Sequence, residues 1–443
     1  MRKLTVSNRT EHTLSVEYYG PKQPHLNSCV ILPEASTSLE VSSSKSHFVL
    51  STDSSSKWST YDDDEKVSVD ADAFQTRFPL KFGAQWKAVK VEDGCPWRIY
   101  RSKTSRRHHR LLVLPKRNLA SYLSELPDSV PLSSLALPGT HDSMALYGWP
   151  VSQCQDVTTP LPVQLQVGIR VLDIRLATKP EGLMAYHGVY PQHVSFQVIL
   201  KTIHDFLTAP DTCRETIVMS IKQEDFVNVA PPVFSQKVRD EISGGPGGME
   251  MFYLANKVPT LGEVRGKVVL FSRFGGDGNG WKDGLEGIGI HPTTWPDSKK
   301  NGFTWECKNT VVQTHDWYSI PSFLSIPEKV DLATRILLPP SNDLPTPTLS
   351  ISFLSAASFP LGLPPLIARG FGWPSLGFGV EGVNSRVGSW LLTLLGEQEQ
   401  PRVRGWVFMD FFRDPEDNAV VPLLVECNFR GRVGGQEGWP SIR

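Results

Sequence analysis

Ser134-Leu-Ala-Leu-Pro-Gly-Thr-His-Asp-Ser143 is the stretch that determines the fold of the larger part of the chain. It combines a short apolar segment, a Pro-Gly turn and a polar cluster, and it predicts a strand that ends at a His-Asp pair. Side chains at the end of a rigid strand are typical of functional sites. Two later stretches, Val171-Leu-Asp-Ile-Arg175 and Ala185-Tyr-His-Gly188, supply matching residues. Together the three stretches predict one site containing His141, Asp142, Asp173, Arg175 and His187.

From residue 130 onward, apolar and β-branched runs alternate with segments of helical length, two of which (194–207 and 383–395) are amphipathic. Continuous apolar strands separated by helices predict a parallel α/β sheet that is covered on both faces. About seven such units favour a closed (β/α) barrel of the TIM type over an open sheet. The apolar runs lie at 135–137, 169–174, 217–221, 268–271, 311–312, 349–354 and 406–412.

Polar residues follow these runs at or near the predicted carboxyl ends of the strands. In a parallel barrel these ends open onto one face, which is where active sites lie. A single residue of this kind can be explained as a cap, but six of them favour a site. The six residues are His141, Arg175, Lys222, Arg273, Asp316 and Asp410.

The first 105 residues are predicted to form a smaller, sandwich-like all-β domain. Alternating apolar residues at 4–6 and 14–18 flank a polar stretch and predict a hairpin, and 67–69 predicts a further strand. The basic stretch 101–110 could attract anionic lipid, but charge runs are more often solvated connectors. We therefore predict a β-rich domain at 1–105, a linker at 106–124 and a catalytic barrel at 125–443.

The composition restricts the class of protein. The chain has 443 residues, of which 40% are hydrophobic and 21% charged, and its formal net charge is -1. These values are typical of a soluble globular protein and give no support to nucleic-acid binding. The six cysteines lack a metal-ligand or C-x-x-C spacing, which favours free buried thiols over a zinc site or a disulfide framework.

Targeting signals are not evident. Residues 1–8 lack the apolar run of a secretory signal, and no stretch reaches the roughly 18 apolar residues of a membrane-spanning helix. We expect a cytoplasmic or peripheral membrane protein, although processing or unconventional export is compatible with the sequence. The sequence does not define an oligomeric state.

The predicted site contains the groups needed to cut a phosphodiester whose alcohol carries a neighbouring hydroxyl. Internal attack by that hydroxyl needs a base, an acid and fixed positive charge on the phosphate. His141 and His187 suit the first two roles because the pKa of histidine lies near neutrality. Arg175 offers a planar fork to two phosphate oxygens. The carboxylates available to fix the histidine tautomers are Asp142, Asp173 and Asp410.

At these residues the chain resembles the X domain of phosphatidylinositol-specific phospholipases C, and most closely the fungal and bacterial PLC-like phosphodiesterases. The resemblance covers about residues 125–430. The matching stretches are Leu137-Pro-Gly-Thr-His-Asp-Ser143, Gln166-Val-Gly-Ile-Arg-Val-Leu-Asp-Ile-Arg175, Tyr186-His-Gly188, Pro259-Thr-Leu-Gly-Glu-Val-Arg-Gly-Lys267, Phe271-Ser-Arg273, Gln313-Thr-His-Asp-Trp-Tyr318, Asn384 and Val407-Phe-Met-Asp-Phe411.

The resemblance implies a TIM-type barrel and a role for each matched histidine. His141 would take the proton from the inositol 2-hydroxyl, with Asp410 behind it. His187 would donate a proton to the diacylglycerol oxygen and would be oriented by Asp142. The product would be a cyclic inositol phosphate.

The resemblance also implies how the substrate is held. Arg175 would bind the phosphate, with Asp173 as its support. The residues that match positions gripping the inositol ring are Arg273, Asp316 and Tyr318, the last by stacking. This sequence departs from many relatives by an inserted Thr314-His315 between Gln313 and Asp316.

Residue types argue for a site without a metal or other cofactor. Arg175 and Lys222 match positions that calcium-dependent relatives give to acidic ligands. A guanidinium and an ammonium carry positive charge but cannot ligate calcium. We therefore predict a metal-independent phospholipase C in which Lys222 also belongs to the substrate-binding group.

Three functions are compatible with these features. The first is cleavage of an inositol phospholipid, which requires contact with a membrane surface. The second is a phosphodiesterase or lyase acting on another lipid or on a glycosyl-inositol phosphate. The third is an inactive lipid-headgroup-binding relative, against which both histidines and Arg175 argue.

The region 337–379 is rich in proline and aromatic residues. Within it, Leu361-Gly-Leu-Pro-Pro-Leu-Ile367 is apolar, and its prolines predict that it is not a regular helix. An exposed loop would be a membrane-contacting rim, whereas a buried loop would pack over the barrel. The two alternatives have similar weight.

Overall fold

The computed structural model describes most of the chain, and these residues fall into two compact units. The units are Met1–Arg117 with Ser389–Gln400, and Asn118–Gly388 with Pro401–Arg443. The described residues are 2–19, 28–41, 47–52, 75–79, 85–225, 228–275, 288–339, 347–360, 362–374, 378–397, 402–415 and 419–441.

The first unit contains two sheets, with strand orders β4-β1-β9-β8-β7 and β3-β2-β5-β6. Side chains from both sheets meet in one buried cluster that includes Val6, Val16, Phe48 and Val113. The strands are β1 (Arg2–Asn8), β2 (Leu14–Tyr19), β3 (Ser28–Ile31), β4 (Ser36–Val41), β5 (His47–Thr52), β6 (Gln75–Pro79), β7 (Trp86–Ala88), β8 (Trp97–Ser105) and β9 (His108–Pro115).

The hairpin predicted from residues 4–18 is wrong, because β1 pairs with β4 and β9 whereas β2 pairs with β3 and β5. The polar stretch between β1 and β2 crosses from one sheet to the other. Its Asn8 is buried and donates side-chain hydrogen bonds to the carbonyls of His12 and Ile31, at 2.7 and 3.1 Å. Satisfied polar side chains allow such a crossing to be buried.

The predicted linker 106–124 also differs from the structure in its first part. Strand β9 occupies His108–Pro115 and pairs with β1 and β8. The apolar residues after the basic run explain this, because Leu111, Leu112, Val113 and Leu114 are all buried. The strand predicted at 67–69 lies outside the described residues.

The second unit is built on an eleven-stranded sheet with the central order β15-β16-β14-β11-β10-β22-β19-β18-β17. The other two strands of this sheet, β12 and β13, extend from β11 as antiparallel neighbours. Strands β20 and β21 form a separate two-stranded sheet. The strands of this unit are β10 (Ala136–Thr140), β11 (Val171–Lys179), β12 (Gly182–His187), β13 (Tyr190–Ser195), β14 (Ile217–Gln223), β15 (Phe252–Tyr253), β16 (Val268–Arg273), β17 (Phe303–Cys307), β18 (Thr310–His315), β19 (Thr348–Phe353), β20 (Gly370–Trp373), β21 (Phe378–Glu381) and β22 (Gly405–Met409).

The parallel strands follow the cyclic order of a barrel. From β10 the sheet runs through β11 and β14 to β16 on one side, and through β22 and β19 to β18 on the other. Among the described residues, no hydrogen-bonded pair joins β16 to β18, so the sheet is a curled half-barrel. The α/β class with parallel strands is as predicted, whereas closure by hydrogen bonds is not seen in this part of the chain.

Helices follow several of the strands. Helix α2 (Phe196–Thr208) begins after a Ser195 cap, whose Oγ accepts the Val198 N–H. It buries an apolar face spaced as expected for an amphipathic helix. The helices are α1 (Leu161–Gln166), α2 (Phe196–Thr208), α3 (Pro231–Gly244), α4 (Ile326–Arg335), α5 (Pro364–Arg369), α6 (Val383–Gly396) and α7 (Val420–Glu426).

Helix α5 corrects the expectation that prolines exclude a helix from this region. Pro364 and Pro365 occupy its first positions, where the missing N–H groups have no intrahelical partner to lose. The helix buries Ile367, while Leu366 is 38% exposed. Leu361 lies outside the described residues.

All six cysteines are described and none is paired with another. Four are buried, Cys29 is half-buried and Cys213 is exposed. In the part of the chain that the structure describes, no helix is both long enough and apolar enough to cross a membrane.

Candidate active site

A cavity of about 430 Å³ opens at the carboxyl ends of the parallel strands. Asp142 and Asp173 are fully buried and contact the cavity-lining Arg175. The cavity lining includes the other predicted site residues, which are His141, Arg175, His187, Lys222, Arg273, Asp316, Tyr318 and Asp410.

The end of β10 separates His141 from its neighbour Asp142. The His141 N–H donates to the Met409 carbonyl at 2.9 Å and continues the pairing with β22. Asp142 adopts a φ of 40°, and its N–H donates to Asp173 Oδ2 at 3.1 Å. The left-handed residue directs the two side chains to different partners.

Gly139 allows β10 to fit closely between its neighbours. A Cβ at this position would lie 2.8 Å from Val171 Cβ and 3.0 Å from the Val407 carbonyl oxygen. A larger residue would therefore push β10 away from β11 and β22. Gly139 of the Pro-Gly pair thus allows close packing of the strand that carries His141.

His141 lies between a carboxylate and a guanidinium. Its Nδ1 is 2.8 Å from Asp410 Oδ1, and its Nε2 is 2.6 Å from Arg175 Nη2. Burial, with Arg175 adding to it, lowers the pKa of His141 well below its usual range. Burial likewise raises the pKa of Asp410. Because arginine only donates, Nε2 accepts this bond and the ring proton lies on Nδ1.

His187 contacts both a carbonyl and a carboxylate through Nδ1. The Ser152 carbonyl oxygen lies at 2.9 Å and Asp142 Oδ2 at 3.4 Å, so the predicted partner Asp142 is the more distant of the two. Burial, followed by the charge of Arg175, lowers the pKa of His187 to about 4. Burial raises the pKa of Asp142 well above its usual range.

Arg175 connects the acidic groups of the site. Its nearest carboxylate oxygens belong to Asp173, at 3.1 Å, and to Asp142 and Glu224, each at 3.5 Å. Burial would lower the pKa of Arg175, but Asp173 and Asp142 more than offset this and raise it. Burial would raise the pKa of Asp173, but Arg175 and Arg273 hold it below its usual range.

Three cationic side chains lie in register on neighbouring strands. Arg175 on β11 pairs with Lys222 on β14, which pairs with Arg273 on β16. Residues in register on parallel strands face the same side of the sheet. The cavity therefore has a row of positive charge on one wall, suited to a phosphate.

The opposite part of the cavity is aromatic and acidic. Arg273 lies over the Trp295 ring at 4.1 Å, and Trp295 Nε1 donates to Asp316 Oδ2 at 2.9 Å. Tyr318 is 40% exposed and its hydroxyl donates to Asp297. Burial and Asp297 raise the pKa of Tyr318 to about 12. The inserted Thr314-His315 therefore does not remove Asp316 or Tyr318 from the site.

Besides Trp295, Asp297 and the Ser152 carbonyl, two side chains close to the catalytic groups were missed from the sequence. Glu224 accepts hydrogen bonds from Lys222 Nζ at 3.0 Å and from the Gly188 N–H at 3.1 Å. Its position two residues after Lys222, on the same side of a strand end, was a usable signal. Cys154 is fully buried in the cavity lining, and nothing in its sequence surroundings marks it.

A family model described as phosphatidylinositol-specific phospholipase C, X domain, matches residues 138–274. The predicted family resemblance is confirmed. The matched X-domain region includes His141, Arg175, His187 and Lys222 and ends one residue beyond Arg273.

Two named relatives each match a part of the chain. The 1-phosphatidylinositol phosphodiesterase of Listeria monocytogenes is 35% identical over 162 residues, which cover 34% of this chain and 48% of that protein. The protein of the same name from Staphylococcus aureus strain Newman is 28% identical over 256 residues, covering 54% of this chain and 75% of that protein. The match thus spans about half the length of the Listeria relative.

Solved structures share a fold with most of this chain. A double mutant of the phosphatidylinositol-specific phospholipase C from S. aureus matches with a TM-score of 0.54 and 21% identity. The match covers 70% of this chain and 97% of that one. A likeness at this level of identity supports the TIM-barrel-like architecture.

Proposed function

We propose that this chain is a metal-independent phosphatidylinositol-specific phospholipase C that releases diacylglycerol and a cyclic inositol phosphate. The observation that carries the proposal is the chain of contacts from His141 through Arg175 and Asp142 to His187. This arrangement provides a base, a phosphate-binding cation and an acid in one cavity. The named function of the relatives agrees with it.

In the first step His141 acts as the base. With its proton on Nδ1 toward Asp410, its Nε2 lone pair is the one available to the inositol 2-hydroxyl. In the free protein Arg175 donates to that lone pair. A phosphate that binds Arg175 competes for this donor and offsets its charge, and both effects favour proton uptake by His141. Asp410 then stabilises the imidazolium form.

In the same displacement His187 acts as the acid. The hydroxyl oxygen attacks phosphorus, the bond to the diacylglycerol oxygen breaks, and His187 supplies the proton to that oxygen. The contacts of its Nδ1 with Ser152 and Asp142 hold the ring in place. They leave Nε2, on the other edge of the ring, as the atom that donates the proton. The anionic substrate raises the pKa of His187, because it counters the charge of Arg175 and Lys222.

Cationic side chains neutralise the negative charge of the phosphate. Arg175 and Lys222 provide the positive charge from neighbouring strands, supported by Asp173 and Glu224. Neither cation can ligate calcium. Removing one preorganised group of this kind commonly costs ~10²–10³ in rate.

The inositol ring is assigned to the part of the cavity beyond the cationic row. Arg273, Asp316 and Tyr318 offer donors, acceptors and an aromatic face there. Arg273 is already held by Asp173 at 3.4 Å and by the Trp295 ring. These contacts keep its rotamer fixed before a headgroup arrives.

We assign membrane contact to exposed apolar side chains on and around α5, β20 and β21. Phe359, Trp373 and Phe378 are 80%, 71% and 73% exposed, and Pro364 of α5 lines the cavity. Exposed aromatic groups beside a site are typical of interaction surfaces. One solved structure of the S. aureus enzyme concerns modulation of its membrane binding.

Two finer features of the fold belong to the same proposal. The second unit is a TIM-type barrel whose interior is filled by packed aromatic side chains. One example is the stacking of Phe271 on Trp305, with ring centroids 6.1 Å apart. The first unit acts as a sandwich-like accessory domain. The protein is expected to work in the cytoplasm or at a membrane surface.

A substrate panel tests the function. The full-length protein is incubated with vesicles of phosphatidylinositol, phosphatidylcholine or a glycosyl-phosphatidylinositol in excess EDTA, and diacylglycerol is measured. Release from phosphatidylinositol at a higher rate than from the others supports the proposal. Preference for the glycosylated lipid indicates a related lyase, and binding without release indicates an inactive headgroup-binding protein.

A further inference from the structure

Cys154 has no role in the mechanism above, although its side chain lines the cavity. It is fully buried, and its Sγ lies 3.8 Å from His187 Nδ1. Its sulfur is shared by two groups of candidate ligands, one with Asp142 and His187 and the other with His141 and Asp410. In each group the ligand atoms lie within 4.8 Å of one another.

The geometry of the first group fits a tetrahedral cation. Zn²⁺ with its usual bond lengths separates N and O ligands by about 3.3 Å and S and N ligands by about 3.6 Å. The corresponding distances are 3.4 Å from His187 Nδ1 to Asp142 Oδ2 and 3.8 Å from Cys154 Sγ to His187 Nδ1. These two separations differ from the ideal ones by about 0.1–0.2 Å, and the third, from Cys154 Sγ to the Asp142 carboxylate, is within 4.8 Å.

The second group fits less well. His141 Nδ1 and Asp410 Oδ1 are hydrogen-bonded at 2.8 Å, so each of these atoms already has the other as its partner. That separation is also shorter than the roughly 3.3 Å that two ligands of one Zn²⁺ require. A cation there would first have to break this bond.

Asp142 gives an independent indication of a ligand. Its side chain is fully buried, yet neither carboxylate oxygen accepts a hydrogen bond from the described protein atoms. Its charged neighbours are His187 at 3.4 Å and Arg175 at 3.5 Å, and neither forms a hydrogen bond with it. A buried carboxylate without hydrogen bonds is costly, and cation binding would remove that cost.

We propose that Asp142, Cys154 and His187 form a site for a thiophilic divalent cation of the Zn²⁺ type, with its fourth position open to the cavity. The cation competes with the Ser152 carbonyl for His187 Nδ1 and with Arg175 for Asp142. A histidine bound through Nδ1 cannot hold two ring protons, so it cannot act as a general acid. The cation is thus an inhibitor. Inhibition rests on the proposed function, whereas cation binding does not.

Cobalt provides a direct probe of the thiolate ligand. Chelator-treated protein is titrated with Co²⁺, and the thiolate-to-cobalt charge-transfer absorbance is recorded before and after Zn²⁺ displacement. The wild type and a Cys213→Ser control, whose thiol is exposed, should show the band, and Cys154→Ser should lack it. A wild type without the band, or a Cys154→Ser variant that retains it, would overturn the proposal.

A second variant covers the case in which Cys154→Ser does not fold, as judged by circular dichroism. Asp142→Asn keeps the sulfur ligand, so the band should remain while the Zn²⁺ affinity falls roughly tenfold or more. Unchanged affinity in this variant contradicts the assigned ligand set.

Lipid cleavage separates failure of this site from failure of the proposed function. Zn²⁺ should inhibit lipid cleavage by the wild type, and EDTA should restore that activity. The activity of Cys154→Ser should be the same with and without Zn²⁺. If the protein shows the charge-transfer band but cleaves no lipid, the cation site is supported and the proposed phospholipase C function is contradicted. Active enzyme that is insensitive to Zn²⁺ rejects inhibition through this site.

Discussion

Asp142 and His141 are adjacent in the sequence but have different partners. The left-handed backbone at Asp142 directs its carboxylate toward His187 and Arg175, while His141 pairs with Asp410, which lies 269 residues further along. Residue types and strand-end positions indicated this group of side chains. The competing Ser152 carbonyl and the role of Cys154 could not be inferred, because both depend on loop geometry. Glu224 could have been found from its position two residues after Lys222.

Substitution of either histidine tests its assigned role. His141→Ala and His187→Ala should each lower kcat by ~10²–10⁴-fold, since each removes a proton-transfer group. The matched control His204→Ala, on helix α2 and outside the cavity, should keep normal turnover. Near-normal kcat in either site variant, with an unchanged circular dichroism spectrum, would reject that assignment.

The titration of His187 should depend on the occupant of the site. In the free protein its pKa should be about 4, because burial and Arg175 oppose the imidazolium form. Inorganic phosphate bound at Arg175 should raise that pKa. Nuclear magnetic resonance of the labelled ring measures both values. A free pKa near 6.5, or a decrease on phosphate binding, would contradict this electrostatic account.

At the level of elements, the register of three strands creates the cationic row. Arg175, Lys222 and Arg273 were each predicted near a strand end, but only the parallel pairing of β11, β14 and β16 brings them together. Sequence patterns place a strand end only to about two to four residues, so register could not be derived. Helix α5 was missed because its two prolines occupy the initial turn, which tolerates them.

The exposed aromatic side chains of β20 and β21 should support vesicle binding. Trp373→Ala and Phe378→Ala should each weaken binding to phosphatidylinositol vesicles roughly tenfold or more, because full burial of such an apolar side chain contributes ~1.5–3 kcal/mol. Cleavage of a short-chain substrate in solution should change little. Leu32→Ala, at a position in the first unit that is 62% exposed, is the control. A loss that is the same for both substrates would contradict a membrane role.

At the scale of the whole molecule, the alternation of apolar strands and helices correctly predicted an α/β unit with its polar residues at one edge of a parallel sheet. It did not predict the opening between β16 and β18, because the order of strands along the sequence does not determine which strands are hydrogen-bonded to each other. It also missed the crossing at Asn8 between two sheets, where buried polar side chains replace strand pairing.

The pH dependence of the free energy of unfolding should reflect the burial of His315. Burial and Lys329 lower the pKa of His315 to about 3, whereas an unfolded histidine titrates near 6.5. The unfolded state therefore binds the extra proton first, and this destabilises the folded state as the pH falls from about 6.5 toward 3.

His315→Gln removes this titration while retaining a donor for the Lys300 carbonyl. Below pH 6.5 the free energy of unfolding of the wild type should fall more steeply than that of the variant, by up to about 1.4 kcal/mol per pH unit. Urea unfolding across this range measures the difference. Parallel pH dependences in the two proteins would show that His315 is not held neutral by burial.

The central claim is that two histidines and Arg175 cleave an inositol phospholipid without a metal. The most direct test is phosphorus nuclear magnetic resonance of the purified protein with phosphatidylinositol vesicles in excess EDTA. We predict that the signal of a cyclic inositol phosphate appears first, at a rate that the chelator does not reduce. Loss of turnover in EDTA, or an acyclic inositol phosphate as the first product, would contradict the claim.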